Sequence, residues 1–216
     1  PEGTQLTIEY AEALNAAGDD LANDAVAGGF QVEGHEAAGF QTDVVVSAGP
    51  GSVFEPRHST KGFRYVRLEG HPGPVTLDTL SGVVVHSVLA PIGGFTCSDD
   101  RLNALHAAAD WSFRGNACGT PTDCPTRERA AWTGDYQTFV ETAAYLYDVS
   151  DFTLRWLHDM KAEQWPDGTI LNYVPDPHDF SLEQNAQWKF AQGSAGWGDA
   201  ACHVPWELYR ASGSAE

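Results

Sequence analysis

The chain has 216 residues and carries 30 acidic against 12 basic side chains, a formal charge of −18. That charge repels phosphate backbones and anionic headgroups over a Debye length, which excludes nucleic-acid and membrane-surface partners. At 42% hydrophobic and 11% aromatic, a chain of this length buries a core of one or two domains, and no run of roughly 18 apolar residues is present to span a bilayer.

Up to about residue 90 the sequence reads as β. Thr42-Asp43-Val44-Val45-Val46, Phe63-Arg64-Tyr65-Val66-Arg67-Leu68 and Val83-Val84-Val85-His86 are β-branched and aromatic runs separated by Gly/Pro punctuation. Ala48-Gly49-Pro50-Gly51 and His71-Pro72-Gly73-Pro74 are turns, and Gly28-Gly29 is a turn without a phosphate-binding pattern. Short strands spaced this way predict an antiparallel β-sandwich over residues 1–88.

Residues 89–216 are read as a second domain, and from about Phe95 the period changes from two to 3.6. Ser98 or Asp99 caps a helix in which Leu102, Leu105 and Ala109 share a face and which ends near Phe113. An irregular stretch runs from Arg114 to Gly134. Tyr136, Phe139, Val140, Ala143, Ala144 and Tyr147 then form the strongest helical stripe in the chain. Asp148 to Asp151 interrupts it, and Phe152, Trp156, Leu157 and Met160 restart it in a second helix closed by Pro166-Asp167-Gly168. Asp199 is placed to cap a last helix carrying Ala201, Val204 and Leu208, with a kink expected at Pro205. Successive antiparallel helices joined by long loops predict part of a helical barrel.

The irregular stretch contains Pro121-Thr122-Asp123-Cys124-Pro125-Thr126-Arg127-Glu128-Arg129-Ala130-Ala131-Trp132-Thr133-Gly134-Asp135. Long loops on rigid scaffolds are where catalytic groups concentrate. Glycoside hydrolysis needs one carboxylic acid held protonated beside the leaving oxygen, and inversion needs a second carboxylate roughly 6.5–9.5 Å away. Crowding of Asp123, Glu128 and Asp135 raises the pKa of one of them by like-charge repulsion, while Arg127 and Arg129 keep the others ionised. Seven Trp and seven Tyr suit a neutral polyol, and Trp132 supplies an apolar wall. A solvated loop with its carboxylates paired to the arginines is the competing reading of the same residues.

The string DCPTRERAAWTGD closely resembles the signature of bacterial α-L-rhamnosidases of glycoside hydrolase family seventy-eight. Gly62-Phe63-Arg64-Tyr65, Ser112-Phe113-Arg114-Gly115-Asn116 and Gly193-Ser194-Ala195-Gly196-Trp197-Gly198-Asp199-Ala200 match the same family in order. The resemblance implies an inverting hydrolase of terminal α-L-rhamnosides that uses no cofactor or metal, with a rhamnose-containing glycoside or oligosaccharide as its partner. It implies Glu128 as general acid, with Asp123 and Asp135 holding rhamnose hydroxyls. Trp132 lines the sugar pocket, and Trp197 is a candidate for the same role. Where the family has Gly before the motif Trp, this chain has Ala131, an expected source of strain if that backbone needs φ > 0.

The family's catalytic domain resembles an (α/α)6 barrel, and twelve helices of about 12 residues with loops of about 5 do not fit into residues 89–216. The chain opens on Pro1, and its single methionine is Met160. The sequence therefore reads as the first part of a barrel whose general base lies beyond Glu216, Glu141 and Glu207 being helix-stripe residues. His158, His178 and His203 lack metal spacing and read as structural. Cys97, Cys118, Cys124 and Cys202 form no C-x-x-C pair and read as free thiols, which favours a reducing bacterial cytoplasm. Nothing sets the oligomeric state. The alternatives are another inverting (α/α)6 glycosidase, a non-catalytic carbohydrate-binding fragment, or a polysaccharide lyase, for which the loop is too acidic.

Overall fold

A computed structural model of the chain describes residues 1–22, 41–126, 128–176, 189 and 192–214. It divides into two compact units: Pro1–Val85 together with Cys124–Glu128, and His86–Asp123 together with Arg129–Glu216. The sequence features at Gly28-Gly29, Arg127 and His178 lie outside the described residues. Among the described residues no helix is long and apolar enough to cross a membrane.

The first unit is built on a three-stranded antiparallel sheet. Its centre is β1 (Gln5–Ala11), flanked by β2 (Thr42–Val46) and β3 (Tyr65–Glu69). Ile8 pairs with Asp43 on one side and Leu68 on the other. Polar cross-strand groups tie the strands together: Tyr10 donates to Asp43 at 3.0 Å, and the Arg67 guanidinium meets Glu9 at 2.5 Å. Two of the β runs read from sequence become strands. The third, Val83–His86, does not. Its valines are all more than half exposed with no alternation, so the β-branched side chains there bury no common face, and propensity alone does not make a strand.

The second unit begins with the two-residue strand β4 (Ala90–Pro91) and helix α1 (Asp100–Asn116). Asp99, not Ser98, is the cap, its side chain accepting from the Arg101 N–H at 2.9 Å. The helix runs three residues beyond Phe113, and Phe113 is the one residue it fully buries. The expected face of Leu102 and Leu105 is open, because only the C-terminal end of α1 meets the unit's core. There Phe113 packs on Phe139, Tyr147 and Phe152 with ring centroids 5.5, 5.8 and 6.4 Å away.

A hairpin of β5 (Ala117–Cys118) and β6 (Thr120–Pro121) leads into the loop, followed by α2 (Thr133–Leu146), β7 (Tyr147–Asp148), α3 (Ser150–Glu163) and α4 (Ala200–Ser212). The stripe read from sequence buries Tyr136, Val140 and Ala143 on α2 and Phe152, Trp156 and Met160 on α3. The two helices meet where Tyr136 lies edge-on to Trp156 at 5.3 Å and hydrogen-bonds Thr153 at 2.5 Å. Helix α4 packs against both through Ala200, Val204 and Leu208 and passes through Pro205. Asp199 precedes α4 but makes no side-chain cap, since its own backbone is helical and its carboxylate accepts from Gly196 N–H at 3.2 Å instead. None of the four cysteines is in a disulfide.

Candidate active site

The acid-rich loop is closed at its neck by two reciprocal bonds. Asp123 N–H donates to the Ala130 carbonyl at 3.0 Å, and Ala130 N–H donates to Asp123 Oδ1 at 3.0 Å. Thr122 N–H adds a bond to the Asn116 carbonyl at 2.8 Å, which turns the chain back onto the end of α1. Asp123 is thus a structural staple of the loop, with one carboxylate oxygen committed to it.

Cys124 to Glu128 belong to the first unit. Glu128 is partly exposed, and its N–H donates to Cys124 Sγ at 3.2 Å. Thr126, 1% exposed, reaches Glu12 through its hydroxyl at 3.4 Å.

The strain expected at Ala131 is found elsewhere. Ala131 sits in the apolar core, its carbonyl accepts from Val174 N–H at 3.0 Å, and its backbone is not left-handed. Among the described non-glycine residues the positive φ falls on Arg129, at 52°, the first residue of the second unit after the loop. An L-residue there costs roughly 1–2 kcal/mol, the kind of local strain that loops of functional sites hold.

Beyond the neck the chain pairs with residues 171–174. Trp132 bridges Tyr173, and Thr133 both donates its N–H to the Asn172 carbonyl at 2.8 Å and hydrogen-bonds it through Oγ1 at 2.9 Å. This fixes the first turn of α2, so Gly134 and Asp135 open the helix from a buried base. Gly134 is needed for space: a Cβ there would lie 3.0 Å from the Trp197 ring. Trp197 is further placed by Gln137, whose Nε2 donates to the Gly196 carbonyl, and by Asn172, which exchanges bonds of 3.1 Å with Ser194 N–H and Oγ. Gln137 and Asn172 carry no sequence signal, because their partners lie 59 and 22 residues away along the chain.

A pocket of about 550 Å³ opens in this unit, lined by Asp123, Asp135, Asn116, Gln137 and the indole of Trp197 among others. Two carboxylates, two amides and an indole match what a polyol offers: hydroxyls and a C–H face. Trp132 lies edge-on to Trp197 at 6.3 Å and to Tyr173 at 4.7 Å, supporting the aromatic wall. Burial, followed by the like charge of Asp123, raises the Asp135 pKa. Among the described residues no cluster of His, Cys, Asp and Glu is arranged to hold a metal.

Glu141, Glu207, His158 and His203 are not among the residues that line the pocket. Glu207, 6% exposed, is held by Arg210 at 2.8 and 2.9 Å, and the same guanidinium reaches Glu141 at 3.7 Å. His158 and His203 occupy exposed helix positions.

Residues 90–216 match the family model described as the bacterial alpha-L-rhamnosidase 6 hairpin glycosidase domain, and residues 1–86 match the bacterial alpha-L-rhamnosidase concanavalin-like domain. The chain belongs to the bacterial α-L-rhamnosidase family. It is similar to an α-L-rhamnosidase of Streptomyces avermitilis, 35% identical over 98% of this chain and 19% of the relative, and to one of Formosa agariphila, 34% identical over 98% of this chain and 21% of the relative. The crystal structure of the Streptomyces avermitilis enzyme complexed with L-rhamnose superposes with a TM-score of 0.84 at 34% identity, covering 99% of this chain and 19% of that one. The chain therefore spans about one fifth of the length of the relatives it matches.

Proposed function

We propose that the full-length protein hydrolyses terminal α-L-rhamnosides with inversion and that Glu128 is its general acid. The observation that carries this is the loop itself. In a chain of this family, a partly exposed glutamate with its N–H bound to Cys124 lies in a loop whose neck is stapled by Asp123, and the residue after it, Arg129, is held in a strained conformation. A group that must deliver a proton in the transition state gains from such fixing.

In this reading Asp135 and the free oxygen of Asp123 accept from rhamnose hydroxyls, and Trp197, backed by Trp132, faces the apolar side of the ring. The raised pKa of Asp135 makes it the carboxylate whose charge a hydroxyl donor would best stabilise. The first unit is read as part of a β-sandwich and the second as the opening helices of an (α/α)6 barrel. The water-activating carboxylate is assigned to a part of the protein outside residues 1–216, so the 216-residue chain alone is expected to release little rhamnose.

The test is Glu128→Gln in the full-length protein. An aryl α-L-rhamnoside with a poor leaving group should lose on the order of 10²–10⁴ in kcat, rhamnose should still bind, and proton NMR of the wild type should show the β-anomer formed first. Unchanged turnover, or the α-anomer first, removes the assignment.

A further inference from the structure

We propose that Gly62, with Thr126 and Gln41 on either side of it, is the positioning site that fixes the acid loop; the proposal rests on Glu128 being the acid. Gly62 lies 66 residues before Glu128 in sequence and is packed directly against the loop. A Cβ built on it would fall 2.7 Å from Pro125 Cγ, 2.7 Å from Thr126 Cγ2 and 2.8 Å from Pro125 Cβ. These atoms are not the tips of flexible side chains: the proline ring is closed onto its own backbone, and the threonine methyl stands on a β-branched carbon. Making room for one methyl therefore moves the loop backbone.

The backbone of Gly62 is not in the left-handed region, so glycine is required here for space and not for conformation. The seat is held from both sides. The Gly62 carbonyl accepts from Gln41 Nε2 at 2.6 Å, and Gln41 is 3% exposed, so the strand-side partner cannot yield easily. On the loop side, Thr126 is enclosed and tied to Glu12. Cys124, next to Pro125 in sequence, takes the Glu128 N–H on its Sγ at 3.2 Å. A displacement at Pro125 therefore reaches Glu128 through the Cys124 contact.

Moving a catalytic group by about 1 Å costs roughly 10²-fold in rate. Gly62→Ala in the full-length protein should lower kcat by about 10- to 100-fold with KM nearly unchanged. The diagnostic readout is leaving-group dependence. A misplaced acid harms departure of a poor leaving group, which must be protonated as its bond breaks, and spares a good one such as a dinitrophenolate, which leaves as the anion. A merely structural defect lowers both rates alike.

Rates are therefore measured for an alkyl and a dinitrophenyl α-L-rhamnoside in wild type, Glu128→Gln and Gly62→Ala. The proposal holds if Glu128→Gln selectively loses the alkyl substrate and Gly62→Ala reproduces that selectivity more weakly. It is overturned if Glu128→Gln is selective and Gly62→Ala slows both substrates equally or neither. If Glu128→Gln itself shows no selectivity, the acid assignment fails and the positioning role falls with it. Should Gly62→Ala not fold, Thr126→Val, which keeps the shape and removes the hydroxyl tie to Glu12, carries the same test with the same opposed outcomes.

Discussion

In the helical unit Trp156, Val140, Ala143 and Val204 are wholly enclosed, whereas among the described apolar residues of the sheet unit only Ile8 and Ala11 are buried and Val44, Val46, Val53 and Leu77 stand open. The helical unit closes a core from within, since four helices and the 171–174 segment supply facing apolar surfaces. The sheet unit holds its strands by hydrogen bonds and ion pairs such as Arg67 with Glu9, and its three strands among the described residues form one layer. The pocket with its indole and two carboxylates belongs to the helical unit, and Glu128 belongs to the sheet unit.

The strongest break of that contrast is Trp156→Ala. The indole is 0% exposed, and its N–H donates to the Val174 carbonyl at 2.8 Å. Removing it leaves a cavity and an unpaired carbonyl, at about 3–5 kcal/mol. That is a large part of an ordinary domain's stability. Chemical denaturation followed by near-UV circular dichroism should show the midpoint drop by this amount; a loss below about 1 kcal/mol would mean that the core is not where the unit keeps its stability.

Gly134→Ala separates packing from function inside the same unit. Alanine is the better helix former by roughly 1 kcal/mol, so α2 should not weaken. The new methyl nevertheless meets Trp197 Cδ1 and Nε1 at 3.0 Å, and the indole must shift by some tenths of an ångström. Rhamnose affinity in the full-length protein should fall about tenfold, some 1.4 kcal/mol, with thermal stability held. Titration calorimetry checks the first and a melting curve the second. A full-strength affinity would show that Trp197 does not face the sugar.

What sequence reading reaches follows the same division. The stripes of α2 and α3 are legible because one helix face is buried along its whole length, and the residues named for it are the ones enclosed. β1 is not, since its two buried residues, Ile8 and Ala11, stand three apart and break the alternation. Leu102 and Leu105 have a correct period but meet no facing surface among the described residues, because a period reports which side chains could be buried together and not what covers them. In the loop, the density of carboxylates and arginines is visible in one dimension. The roles of Gly62, Gly134 and Gln137 are not, because they consist of space and backbone contacts to residues tens of positions away. The glycine missing at Ala131 shows the same limit: the position of unusual backbone is Arg129, two residues off, and side-chain identity did not mark it.

Asp135→Asn gives a smaller effect whose sign depends on pH. The folded carboxyl has a raised pKa, so the native state binds the proton more tightly than the unfolded chain, and stability falls as pH rises from the ordinary value of 3.8 through the raised one. Asparagine has no charge to desolvate or to set against Asp123. The variant should therefore melt higher than the wild type at pH 7 and lose this advantage near pH 3, where both side chains are neutral. Equal differences at the two pH values would mean that the Asp135 carboxylate is not held against its environment.

The smallest effects should come from the open faces, one in each unit. Val44→Thr keeps a β-branched side chain in β2, and Leu105→Gln keeps a good helix former in α1. Both side chains are more than half exposed, at 61% and 66%, so neither substitution removes much buried area. In the 216-residue chain each should change unfolding free energy by less than about 0.5 kcal/mol, against several for Trp156→Ala. A loss above about 1 kcal/mol for Leu105→Gln alone would show that the first two turns of α1 are covered in solution. The contrast between the units would then lie in what each is packed against and not in how well each closes on itself.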